Sequence, residues 1–419
     1  MGKEGLSMLL LSRLLGQPVQ DAGGQEIATL QDLVGRWQPG QGMVAMGLVA
    51  AVGRRRFFLP WQQVAEFGDK DVQLSSYQVN FQQFERRQGE ILLAGDVMDQ
   101  RLIDVRRRKV IRVNDVVLNQ IDGRVVVTGV DVGTGALLRR VAPRWLSTSF
   151  SGVKLVDWAD VEWLPSDAYP AGKRSFPLLA QLHPVEVAHI VNELPHRQGA
   201  DIVESLGDED AADVLSEISD EHQAGVLMNI DEERAADILE EMEPDDAADL
   251  LARLSPEEAG DLLGRMETDE ARDVQALMEY KEGTAGGLMT NRFVTVPQGW
   301  SAGDAIELLR RMEDRPETIT HLLVVERPES LKLAGMVPLL DVVLAPPDDE
   351  LRALMAPDVP SVEPDTATSE VARRMAEYNL AVMPVVNEEK EVLGIVAVDD
   401  IVEEMLPERW RRRLPRLFG

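Results

Sequence analysis

Apolar and polar positions follow three different rhythms along this chain. In residues 1–170 the rhythm is short, with alternating or β-branched-rich runs at 44–52, 55–59, 110–118 and 124–132, separated by Gly-containing turns such as Asp122-Gly123. Such runs predict β-strands. From Val187 the rhythm becomes a strict period of 12, with units opening at Val187, Gly199, Ala211, Gln223, Ala235, Ala247, Ala259 and Ala271. Positions 4, 5 and 8 of each unit are apolar, as in Ile202, Val203 and Leu206 or Leu250, Leu251 and Leu254, with Gln275 the exception. That spacing draws one stripe along a short helix. Ser219-Asp220-Glu221, Ser255-Pro256-Glu257-Glu258 and Thr268-Asp269-Glu270 supply hydroxyl caps and first-turn acids at the helix starts. Helices this short are marginal alone, so the stripes must be buried by stacking, which predicts an α-solenoid. From residue 286 a third pattern appears twice: amphipathic segments at 302–312 and 369–378, each followed by apolar strand pairs, 322–325 with 333–337 and 382–386 with 392–398.

The first segment also repeats. At an offset of 83 residues Gln17 matches Gln100, Asp21 matches Asp104, Ile27 matches Val110 and Asp32 matches Asp115, and later Trp61-x-x-Val64 echoes Trp158-x-x-Val161. Two similar small β-barrels are expected.

Charge sharpens this map. The 419 residues carry 73 acidic and 43 basic groups, a net of −30, which excludes a cationic nucleic-acid coat. Residues 1–170 hold 20 basic and 19 acidic groups, 171–285 hold 8 and 30, and 286–419 hold 15 and 24. The solenoid therefore concentrates the imbalance, and the simplest partner for it is a cation. Position 3 is Asp in six units, Asp201, Asp213, Asp237, Asp249, Asp261 and Asp273, opposite the apolar stripe. This row is either a solvated face or a local source of metal ligands. Asp245 and Asp249, four apart in the acidic run from Glu243 to Asp249, put two carboxylates on one helix face.

Without cysteine there is no disulfide, thiolate metal site or cysteine nucleophile. The longest nearly uncharged apolar stretch, 42–53, has 12 residues, against about 20 for a spanning helix, and the N-terminus shows no signal-peptide pattern. A cytoplasmic protein is expected. His183, His189, His196, His222 and His321 form no Ser/His/Asp arrangement, so no enzyme is read here; His189 and His196, seven apart, share a helical face.

Three family resemblances extend this reading. Leu15-Gly16-Gln17-Pro18-Val19, Gly47-Leu48-Val49, Phe57-Phe58-Leu59-Pro60-Trp61 and Arg112-Val113-Asn114-Asp115-Val116 resemble PRC-barrel domains, which implies docking. The stretch Glu243-Pro244-Asp245-Asp246-Ala247-Ala248-Asp249 and the junction from Thr284 to Thr290 resemble the N domain of MgtE-type magnesium transporters, where aspartates of this segment contribute to interdomain Mg²⁺ sites. The strand, helix, strand, strand, helix pattern after residue 286 resembles a tandem CBS pair, or Bateman module, opened by Leu288-Met289-Thr290 and Leu354-Met355-Ala356-Pro357.

A CBS nucleotide site commonly reads Gly-x-x-Ser/Thr-x-x-Asp. Here Gly335 to Asp341 and Gly394 to Asp400 keep the acids Asp341 and Asp400 but carry Pro338 and Ala397 in place of the hydroxyl, so an adenine nucleotide is expected to bind weakly or not at all. The MgtE resemblance implies that Asp400 and Glu403 ligate Mg²⁺ with Asp245, Asp246 and Asp249.

The expected organisation is a multidomain chain: N-terminal all-β small barrels at 6–80 and 88–165, a central acidic α-solenoid at 175–285, a C-terminal α/β CBS pair at 286–345 and 350–408, and a basic tail at 409–419. The expected function is Mg²⁺-responsive regulation without a transport pore, with closure of the solenoid onto the CBS pair when Mg²⁺ joins Asp245 and Asp249 to Asp400 and Glu403. Partners expected are a second copy through the CBS domains, an unknown protein on the barrels, and a separate membrane transporter. The rivals are a docking adaptor for a ribosome, RNA or membrane complex, slightly favoured by Arg54-Arg55-Arg56 and Arg106-Arg107-Arg108-Lys109 although the net charge does not favour RNA, and a nucleotide sensor.

Overall fold

The computed structural model describes residues 8–38, 42–68, 70–77, 83–121, 123–135, 153–163, 176–312, 316, 319–356 and 358–406. It forms two compact units, Met1–Leu182 and His183–Gly419. The basic tail at 409–419 lies outside the described residues. Among the described residues no helix is long and apolar enough to cross a membrane.

The N-terminal unit is β-rich. Its strands are β1 (Leu9–Leu10), β2 (Pro18–Gln20), β3 (Glu26–Gln38), β4 (Gly42–Val52), β5 (Arg55–Pro60), β6 (Val64–Phe67), β7 (Val72–Leu74), β8 (Ile91–Leu92), β9 (Arg101–Asp104), β10 (Lys109–Arg112), β11 (Asp115–Ile121), β12 (Arg124–Asp131), β13 (Leu155–Asp157) and β14 (Val161–Trp163). The run expected as one strand at 110–118 is two, β10 and β11, broken where Asn114 turns to bond Asp131. The longest strand, β3, was not legible as such, because buried Asp32 interrupts its alternation and the register shifts on either side of Leu33.

The 83-residue repeat holds down to single hydrogen bonds. Gly16 donates to Leu30 at 2.8 Å and Leu30 to Gln17 at 2.9 Å; in the second copy Asp99 donates to Val113 at 2.8 Å and Val113 to Gln100 at 3.0 Å. Gly16 and Asp99 both take positive φ, 79° and 64°, as those tight turns require.

The copies are not separate domains, however. Each lends its leading segment to the other: β1 pairs with β11 of the second copy, and β8 pairs with β3 of the first. The helical turn α1 (Leu11–Leu14) is held by Asp115, which accepts from the Ser12 N–H at 2.9 Å and from its hydroxyl. The matching turn at Leu93–Val97 is held by Asp32, which accepts from Ala94 at 2.7 Å and Gly95 at 3.0 Å. Leu11, Leu14, Leu30, Leu33, Leu93, Val97 and Leu118 consequently share one buried core.

The second unit opens with eight helices that follow the 12-residue period: α2 (Pro184–Val191), α3 (His196–Val203), α4 (Asp208–Ser216), α5 (Asp220–Leu227), α6 (Glu232–Glu241), α7 (Pro244–Ala252), α8 (Pro256–Leu263) and α9 (Thr268–Leu277). Helices stack in two rows, α2 on α4 on α6 on α8 and α3 on α5 on α7 on α9. Buried Ile202, Val203, Val214, Leu215, Ile238, Leu239, Leu250 and Leu251 confirm the inward stripe, while Asp213, Asp237, Asp249, Asp261 and Asp273 are exposed.

Side chains stitch alternate helices together. Asn192, Glu204 and Glu240 accept the backbone N–H of Ser219, Asp231 and Glu267, each 27 residues on, at 3.1, 2.7 and 2.6 Å. This explains a departure from the expected caps: the Ser219 hydroxyl turns to Asn192 at 2.9 Å instead of closing its own helix. Thr268 is likewise the first helical residue and Glu267 the cap. Ser255 does form the expected capping box with Glu258. Its replacement by alanine should lower stability by about 1 kcal/mol in urea denaturation.

The remainder is an α/β pair containing β15 (Thr295–Pro297), β16 (His321–Val325) and β17 (Leu333–Pro338) in one copy and β18 (Val382–Val386) and β19 (Val392–Ala397) in the other. Its helices are α10 (Ala285–Leu288), α11 (Ala302–Arg311), α12 (Leu339–Leu344), α13 (Leu351–Leu354), α14 (Thr368–Tyr378) and α15 (Val398–Met405). Here too leaders are exchanged: Thr290 pairs with Ile395, and Ala356 with Met336. Gly394 and Gly335 permit this. A Cβ on Gly394 would lie 2.7 Å from the Thr290 carbonyl oxygen, and one on Gly335 would lie 2.6 Å from that of Ala356.

Candidate metal site

Pro244 at the first position of α7 fixes the helix start, and Asp245 and Asp246 follow in its first turn. The Thr290–Ile395 pairing brings β19, and hence the start of α15 with Asp400, up to that turn. Thr290 donates its hydroxyl to Glu243 at 3.5 Å, Arg292 donates to the Glu240 carbonyl at 3.4 Å, and Asn291 to the Asp273 carbonyl at 3.2 Å. These bonds fix the helical repeat to the α/β pair around the acids.

Asp245 is the centre of the arrangement. Its Oδ1 is buried and has no hydrogen-bond partner. Burial pushes its carboxyl well above the usual carboxylate range, and Asp246, Asp400 and Glu243 push it further. The Asp400 carboxylate also accepts the Ala397 N–H at 3.2 Å, so one acid both closes α15 and repels the Asp245 carboxyl.

The other two expected ligands, Asp249 and Glu403, are more exposed than Asp245. Asp249 has one edge in solvent, yet the protein packed around it raises its carboxyl to about 6; Arg253 opposes this, while Asp246, Glu282 and Asp220 add to it. Arg253 is itself bonded to Asp220 at 3.1 Å and to the buried Gln223 at 2.6 Å. Asp249 thus sits one turn away in a mixed-charge group, joined to the Asp245 group through Asp246. Glu403 is exposed on α15 and is not among the charges acting most strongly on Asp245. The sequence missed Glu243 as a member of the site; its place at the helix cap, directly before Pro244, was the available signal.

Asp341 lies exposed in the first turn of α12, near His321, whose proton affinity is lowered by burial and raised again by Asp341. The adjoining cleft, lined by Phe293, Thr320, His321 and Val382 among others, has a volume of only ≈10 Å³. A larger cleft of ≈520 Å³ opens beside Ser361, Arg373, Arg374, Tyr378 and Lys390. There Arg373 and Arg374 are both already paired with Glu370, at 2.8 and 2.9 Å.

The family comparisons agree with the order of helical repeat and α/β pair. Residues 182–283 match the MgtE intracellular N domain, and residues 285–348 and 351–407 match the CBS domain. The chain therefore carries an MgtE N domain followed by a CBS pair. It is similar to the magnesium transporter MgtE of Thermus thermophilus, 40% identical over 129 residues, which are 31% of this chain and 28% of the transporter. The MgtE of Bacillus subtilis is 35% identical over 129 residues, again 28% of the transporter's length, so the chain spans under a third of these relatives. Among solved structures, the cytosolic domain of the Mg²⁺ channel MgtE in complex with ATP is 35% identical, with a TM-score of 0.52 over 54% of this chain and 92% of that one. The soluble part of a magnesium transporter is 27% identical, with a TM-score of 0.51 over 54% of this chain and 89% of that one.

Proposed function

We propose that the chain is a Mg²⁺-responsive regulatory protein, in which a hydrated Mg²⁺ joins the α7 start to the α15 start. The observation that carries this reading is the buried, unbonded Oδ1 of Asp245, on a carboxyl that Asp246, Asp400 and Glu243 are close enough to repel. The residues fit a hydrated ion: Asp245 and Asp400 would hold it, in part through its waters, with Asp246 and Glu243 adding charge. Among the described residues no set of three acids or histidines is arranged to enclose a metal outright. Mg²⁺ commonly uses one or two carboxylates and keeps several waters. Its chemistry here is charge neutralisation, which lets like-charged helix starts remain together; a site spanning both parts stabilises only the joined form. We read this as binding, not catalysis.

Calorimetric titration of the full chain with Mg²⁺, together with small-angle scattering at constant ionic strength, tests the proposal. Millimolar Mg²⁺ is expected to compact the protein, and Asp245→Asn with Asp400→Asn to remove most of the effect, whereas Asp213→Asn keeps it. An unchanged radius of gyration, or equal weakening by Asp213→Asn, would sink the idea, because general screening acts on every exposed acid alike.

The expected homodimer through the CBS pair has an apolar face to use. Leu340, Val343 and Leu344 on α12 are 65%, 57% and 74% exposed, and Met405 on α15 is 60% exposed. Light scattering should give a dimer, and Val343→Asp with Leu344→Asp a monomer. A wild-type monomer at tens of micromolar would reject it.

The docking reading of the N-terminal unit, as PRC-barrel-like modules for a protein partner, also has specific support. Arg56 stacks on Phe84 at 5.7 Å and Arg87 on Phe58 at 5.8 Å, with the two phenyl rings 6.4 Å apart. A regulated membrane transporter remains part of the proposal through the MgtE likeness alone.

A further inference from the structure

The 12-residue period makes equivalent slots comparable, and one slot is filled in an unusual way. Between α4 and α6 it holds an ion pair: Arg234 binds Asp208 and donates to the Leu206 carbonyl at 2.9 Å. Twelve residues earlier, at the same positions, stand His222 and His196. Their rings meet edge to face, with centroids 4.4 Å apart at 74°. The Nε2 of His222 lies 2.7 Å from the Leu194 carbonyl, the counterpart of Leu206. Where the next slot holds opposite charges, this one holds two imidazoles, which cannot neutralise one another.

Two further details show that the slot is shaped for these rings. A carbonyl only accepts, so His222 must donate from Nε2; its neutral ring then keeps the lone pair on Nδ1. Such a backbone bond to the remote nitrogen is the usual way a metal-binding imidazole is oriented. The other detail is Gly225, which occupies the repeat position where six units carry Asp. A Cβ there would lie 2.5 Å from both Nδ1 and Cε1 of His196, so the acid has given way to the ring. His196 is exposed and its ring makes no hydrogen bond to the described residues, while His222 is half-buried.

We propose that His196 and His222 form a site for a borderline divalent ion of the zinc and nickel kind, distinct from the acidic site and independent of it. Imidazole nitrogen suits such ions, whereas Mg²⁺ prefers oxygen. Two protein nitrogens leave the remaining positions to water. The pairing differs from the sequence expectation, in which His189 and His196 shared a face; His189 is exposed one helix earlier, on α2.

The test is calorimetric titration of the full chain with Zn²⁺ in a large excess of Mg²⁺, which occupies the carboxylates. Wild type is expected to bind one equivalent. His196→Ala and His222→Gln should each weaken it roughly tenfold or more, and His189→Ala should leave it unchanged. Glutamine at 222 retains a donor for the Leu194 carbonyl, and metal-free thermal melts of each variant separate lost ligation from lost folding. No Zn²⁺ binding by wild type under excess Mg²⁺ would overturn the site, as would unaltered binding in a folded His196→Ala or His222→Gln variant.

Discussion

Replacing Gly394 with valine is expected to unfold the CBS pair. The new Cβ would lie 2.7 Å from the Thr290 carbonyl oxygen and 2.8 Å from the Met289 sulfur, and the oxygen belongs to backbone, which has little room to move. Relief requires separating the two segments. That breaks both bonds between Thr290 and Ile395, at 2.9 and 3.0 Å, and leaves their polar groups without partners. Overpacking costs roughly 1–3 kcal/mol and each half-buried backbone group left without a partner up to about 1 kcal/mol, against a total stability of about 5–15 kcal/mol for a domain. Gly299→Val is the control, since nothing lies within 4 Å of its Cβ position. Thermal melting and limited proteolysis would decide the matter: a Gly394→Val protein that melts with wild type shows that the close approach does not hold the pair together. Loss of the Asp245 site should accompany unfolding, because the same pairing delivers Asp400 to α7.

The family motif containing Gly394 was legible, but its physical reason was not. The sequence suggested a phosphate-binding frame lacking its hydroxyl; the structure shows that both motif glycines, Gly335 and Gly394, admit the other copy's leader segment. Periodicity was the most reliable guide. A 12-residue repeat with fixed apolar positions leaves a helix and turn little freedom, so the eight helices α2 to α9 follow it closely. Hydrogen bonds spanning 27 residues could not be foreseen, since Asn192, Glu204 and Glu240 look like ordinary surface residues until the helices stack. For the acidic site, resemblance joined Asp245, Asp246, Asp249, Asp400 and Glu403, and helical spacing added only that Asp245 and Asp249 share a face; that Asp400 and Glu243 act on the Asp245 carboxyl while Arg253 acts on that of Asp249 comes from packing, which the sequence does not display.

Both duplicated units exchange leaders; in the N-terminal unit the two small repeats share one core, and in the α/β pair a small cluster of Leu323, Met336, Val386 and Val392 joins the copies. A single copy would expose the strand that its partner's leader covers, at Val34–Gly35 or Val117–Leu118 in the first unit. Small domains bury a low fraction of their surface and benefit most from such sharing. The cost is that a few polar side chains must be buried to hold the leaders, and these become sensitive points.

Asp32 is the one whose sensitivity can be read by pH. It is 4% exposed, and burial lifts its carboxyl from 3.8 to about 6, although the N–H groups of Ala94, Leu33 and Gly95 pull the other way and Asp96 adds repulsion. Because the folded value exceeds the unfolded one, the folded state holds a proton that the unfolded chain has lost between about pH 4 and 6. This group's contribution is therefore full below 3.8 and disappears as pH rises through 6, a change of about 3 kcal/mol. Asp32→Asn carries no ionisable group there and should lack that slope, even if its baseline is lower because an amide matches three donors poorly. Hydrogen exchange of the 93–97 segment, corrected for intrinsic rates and compared between wild type and variant from pH 4 to 8, isolates this turn from the other carboxylates in the chain. Protection in wild type should fall relative to the variant as pH rises. Parallel profiles would mean that the three N–H bonds hold the carboxylate ionised throughout, and that the turn at Leu93–Val97 is a fixed clamp and not a pH-dependent one.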